Sequence, residues 1–82
     1  MTGLIASLLL EKDAQVLEVA RLLADIETAL VDKKLTEQEY VSLMVDVERL
    51  RAIIVLSDNV RVNIALNQAI MGIIELAKMI KL

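Results

Sequence analysis

The sequence has no cysteine, histidine, proline, tryptophan or phenylalanine, a single tyrosine (Tyr40), and two glycines, Gly3 and Gly72. Each absence closes a class of function. Without cysteine there is neither a disulfide nor thiol redox chemistry, so an apolar core or a partner must supply all the stability. Without histidine and cysteine, the usual transition-metal ligands and the commonest nucleophile and base pairs are missing. Glycines sixty-nine positions apart cannot build a phosphate-cradling loop. Nucleic-acid binding needs a basic stripe and usually stacking aromatics. Here nine Lys+Arg face twelve Asp+Glu, the net charge is −3, and no basic run exceeds Lys33-Lys34.

Long charge-free runs are also lacking, although the mean hydropathy is +0.63. The longest are Met1 to Leu10 and Val62 to Ile74, both shorter than the roughly 18–20 residues of a spanning helix. Met1-Thr2-Gly3 carries no basic residue, so a secretory leader is not expected. The expectation is a non-secreted protein, cytoplasmic or mounted in a virion-like assembly, with no spanning segment. A peripheral membrane role for Met1 to Leu10 is the weaker alternative, because the polar face beyond it is net acidic.

What is present is aliphatic: 57% of 82 residues are hydrophobic, in a chain long enough for one small domain. Residues of about 4–31 repeat at helical spacing, with Ile5, Leu8, Leu9, Val16, Val19, Leu23, Ile26 and Leu30 on one stripe and Glu11, Glu18, Arg21 and Asp25 opposite. After Asp32-Lys33-Lys34-Leu35 comes Thr36-Glu37-Gln38-Glu39, a capping box, with Leu35 and Tyr40 at the spacing of a hydrophobic staple. A second helix over about 37–56 follows, with Tyr40, Leu43, Met44, Val47, Leu50 and Ile54 on its stripe. Residues 32–51 resemble helix-initiating segments of short phage-encoded helical proteins. The resemblance covers about a quarter of the chain, rests on the capping box, leans toward a viral origin and assigns no functional residue.

Ser57-Asp58-Asn59 offers N-cap residues before a third helix over about 60–82, with Val62, Leu66, Ala69, Ile70, Ile73, Ala77 and Ile80 on one side. Two rivals stand beside this. Val60 to Ile64 alternates with period two, as a short strand does. If Ser57 to Asn59 stays helical, residues 37–82 form one rod of about 69 Å in a helical hairpin. The expected fold is all-α, a three-helix up-down-up bundle or that hairpin, completed by oligomerisation.

That completion is expected because helix two carries a second apolar set, Val41, Val45, Ala52 and Leu56, nearly opposite its first, while Ile64 and Met71 lie on a polar side of helix three. Small bundles have one interior, so these six residues form the candidate interface. Asn63 and Asn67 stand at the stripe's edge, either in water or fixing register in an interface. Gly72, beside Ala69 and Ala65, permits close helix approach.

No catalytic or metal site emerges. Glu37 and Glu39 are explained by capping, and Asp46 and Glu48 by Arg49 and Arg51 three residues on. Thr28 to Glu39 has the spacing of the end of a calcium loop, but Thr28 and Leu30 stand at its first ligand positions and Lys33 where glycine is required. The expected function is therefore non-enzymatic: an assembly or interaction protein without cofactor or metal, most simply a homo-oligomer or a subunit of a larger particle. The alternative is a small binding module that regulates or inhibits a partner protein.

Overall fold

The computed structural model describes residues 2–11, 13–55 and 60–80 of the chain. Among these residues the secondary structure is helical throughout, in four helices: α1 (Thr2–Leu9), α2 (Ala14–Val31), α3 (Glu37–Val55) and α4 (Val60–Ile80). The class agrees with the sequence reading; the number does not. The segment expected as one helix over 4–31 is two. The cause is Asp13, whose carboxylate accepts from the amides of Gln15 at 2.8 Å and Val16 at 3.4 Å and so caps a new helix. Before it, Leu10 and Glu11 donate back to the carbonyls of Ser7 and Leu8, which closes α1 with tight turns.

The break has a packing purpose. A continuous helix would carry Ile5 and Leu8 past the end of the core. Folded back, both are buried, and α1 packs on α2 and α4. Leu9, expected on the buried stripe, instead stands at its exposed edge. Glu11, next to the break, is bridged at 3.0 Å by Arg61 from the start of α4.

The core runs along α2, where Val16, Val19, Ala20, Leu23, Ile26 and Leu30 are buried, and is met by Val62, Leu66, Ala69, Ile70, Ile73 and Ala77 of α4. Among the described side chains of α3, Val47 and Ile54 are the buried ones. Tyr40, Leu43, Met44 and Leu50 pack partly against the same core. These are the stripes read from helical spacing, with Ile80 half-buried at the end of α4.

Both rivals at the third segment fall. Val60 to Ile64 is helical. The Arg51 guanidinium donates to Asn67 Oδ1 sixteen residues on, a separation of about 24 Å in one continuous helix. The chain therefore folds back between α3 and α4, and its longest dimension is 35 Å rather than that of a rod. The Ser57-Asp58-Asn59 cap signal itself lies outside the described residues.

The α2–α3 junction is built from two caps. Lys34 N–H donates to Ala29 O at 2.9 Å and Lys33 N–H to Leu30 O at 3.1 Å, the Schellman pattern, with Lys33 at φ 55°. Thr36 then opens α3 as expected. Its hydroxyl accepts from the Glu39 amide, and its own amide donates to Glu39 Oε1, both at 3.1 Å. Those bonds, the one from the Thr36 backbone first, hold the Glu39 carboxyl below the usual carboxylate range. Leu35 and Tyr40 are both half-buried against the core.

Two predictions follow from this junction. A left-handed non-glycine residue costs roughly 1–2 kcal/mol, partly offset by glycine's greater freedom when unfolded, so Lys33→Gly should stabilise by about 1 kcal/mol and raise Tm by about 4–8 °C. Calorimetry of the two proteins checks it, and an unchanged or lower Tm refutes it. Because the folded-state pKa of Glu39 is depressed, its contribution is present above the unfolded value and lost as pH falls through the folded one. The stability difference between wild type and Glu39→Gln should therefore shrink on acidification through the carboxylate range, as read from urea midpoints at stepped pH.

Candidate interaction surface

The candidate surface follows from how α3 is shared. Its inner stripe faces α2, yet Val41, Val45 and Ala52 recur at spacings of four and seven on the opposite side, so a single core cannot take both. In the fold Val41 and Val45 are 54% and 49% exposed, and Ala52 is exposed as well. On α4, Ile64 and Met71, two turns apart, are 53% and 63% exposed. Leu56, the remaining expected interface residue, lies outside the described residues.

These positions are partly brought together. Tyr40, Val41, Met44, Val45 and Glu48 of α3 line a shallow groove of about 420 Å³ with Ile74 of α4. Met71 is three residues, one helical turn, before Ile74 and continues the same flank. Burial pushes the Tyr40 hydroxyl above its ordinary range. Near the middle of this flank the apolar character is interrupted. Glu48 Oε2 accepts from Arg51 at 3.3 Å, and Arg51 in turn donates to Asn67 Oδ1, linking α3 to α4. Asn67 thus has a partner across the helix pair, while Asn63 is half-buried with Oδ1 shielded and unbonded.

The other flank of α3 forms a second groove with α2, of about 560 Å³, lined by Leu22, Leu50 and the exposed Ile53 and rimmed by Glu18, Arg21, Asp25, Asp46 and Arg49. Its charges alternate in sign, and Asp46 and Arg49 pair at 4.0 Å. Such exposed pairs contribute little to stability. Sequence reasoning missed both this groove and the Arg51–Asn67 bridge, because each depends on which helices become neighbours. Ile53, at the edge of the α3 stripe, was the visible sign of the first.

Among the described residues no three Asp or Glu side chains converge as a metal site. By length and composition α4 is the one helix there that is long and apolar enough to cross a membrane, and its Val62, Leu66, Ala69, Ile70, Ile73 and Ala77 are buried against the other helices. The accessible surface is 5375 Å², roughly a tenth above the ~4,900 Å² typical of a folded monomer of this mass. No family model, curated protein or solved structure matches the chain.

Proposed function

We propose that this protein is a non-enzymatic assembly protein that associates with copies of itself through the α3–α4 flank, with α2, α3 and α4 arranged as an up-down-up bundle and α1 folded onto it. One observation carries the reading. Val41, Val45, Ile64 and Met71 are each about half exposed or more, along two helices whose other apolar faces are occupied by the core. Monomeric proteins seldom leave a contiguous apolar patch of more than a few hundred Å² open to water. The surplus of surface over that of a typical monomer points the same way.

The test is the absolute mass across a concentration series, by sedimentation equilibrium. The wild type should give a stable multiple of 9.1 kDa. Val45→Glu and Met71→Glu should each return it to the monomer mass with helicity preserved by circular dichroism, since neither side chain lies in the core. A wild type that stays monomeric at every concentration refutes self-assembly, and unfolding of both variants refutes the assignment of this flank as a surface.

A further inference from the structure

The polar interruption in the flank says which way round a second copy sits. Glu48 and Arg51 are an i,i+3 pair on the side of α3 that faces α4, at 3.3 Å, with Glu48 about half exposed and Arg51 about one-third exposed. When two copies of one helix pack antiparallel about a twofold axis perpendicular to both, each flank meets its own counterpart and the residue order is reversed. An axis midway between Glu48 and Arg51 therefore sets Glu48 of each copy opposite Arg51 of the other. The two internal pairs close into one ring of four alternating charges. A parallel arrangement sets Glu48 level with Glu48 instead.

The apolar positions fit the same register. Val45 of one copy comes within about 3 Å, along the helix axis, of the second copy's Ala52, whereas the two Val45 residues are about 13 Å apart along it. The small Ala52 side chain leaves space for Val45, the large-against-small match that close helix packing needs.

Resting on the self-assembly reading above, we infer that the partner on this flank is a second copy of the chain, seated with α3 antiparallel to α3 and with the Glu48–Arg51 ring as its registering centre. The apolar residues supply the driving force, and the ring sets direction and register, as a polar position does in a helical interface. Charge self-complementarity of the Glu48–Arg51 pair favours a second copy as the occupant. A stable dimer covers about 800 Å² per partner, more than one helix face offers, so α4 with Ile64 and Met71 is drawn into the contact.

Two experiments test this, both on the full chain. Since the chain has no cysteine, Val45→Cys and Ala52→Cys give cross-links free of background. Disulfide-linked dimer should form when the two variants are mixed and oxidised, and not from either alone, because like residues lie beyond the roughly 7 Å Cα separation a disulfide spans. Efficient cross-linking of Val45→Cys alone overturns the antiparallel register. In the second experiment, Glu48→Arg brings four like charges together and should raise the dimer dissociation constant by about tenfold or more. Adding Arg51→Glu to it should restore association to near the wild-type value, as the Asn67 amide can turn to donate to the new carboxylate. Wild-type dimers that Val45→Glu dissociates but the charge exchange does not rescue would overturn the ring while leaving self-assembly standing. A monomeric wild type would remove both.

Discussion

Aliphatic packing along α2 is the interaction on which the rest of the molecule depends. Val19, Ala20, Leu23, Ile26 and Leu30 are fully shielded there, and α1, α3 and α4 each pack on this one helix. With no cysteine to form a disulfide and one aromatic ring, the chain depends on this aliphatic packing for its stability. The arrangement also explains why no polar residue is fully buried among the described residues. A core made from branched aliphatics and alanine has no polar tips to satisfy, and the two shielded polar atoms without a bond, Glu27 Oε2 and Asn63 Oδ1, belong to half-buried side chains at its margin.

The demand of α2 for cover decides the character of α3. Among its described side chains that helix buries Val47 and Ile54, and its contact with α4 is the slightest of the helix pairs that touch. A helix attached by one narrow stripe leaves its second apolar set, Val41, Val45 and Ala52, facing outward. The Glu48–Arg51–Asn67 link is what ties its free side to α4, and exposed polar links of this kind contribute little stability of their own.

Much of this was legible in the residues because it is local. The Thr36 capping box and the α2, α3 and α4 stripes are patterns of three, four and seven positions, and they emerge in the fold as read. The Asp13 cap was equally local, with Asp before Ala14-Gln15-Val16, but the apolar period runs on across Leu10 to Val16 and conceals the break. The Lys33 turn has no such signal, since a left-handed lysine takes the place where glycine would have announced it. The Arg51–Asn67 bridge and the two grooves are of another kind. Their members are distant in sequence and become neighbours only once the direction of α4 relative to α3 is set.

The docking of α1 carries a consequence for the order of events during synthesis. Ile5 and Leu8 are made before the rest of the core, yet one of the two helices against which α1 packs is α4, the last of the four in chain order. Contacts between the first and last helices have high sequence separation, and such contacts form late and slow the overall reaction. The nascent chain must therefore carry the whole α2 stripe uncovered on one side until α4 is released. Docking of α1 therefore waits on α4, so folding in order of synthesis cannot complete this core.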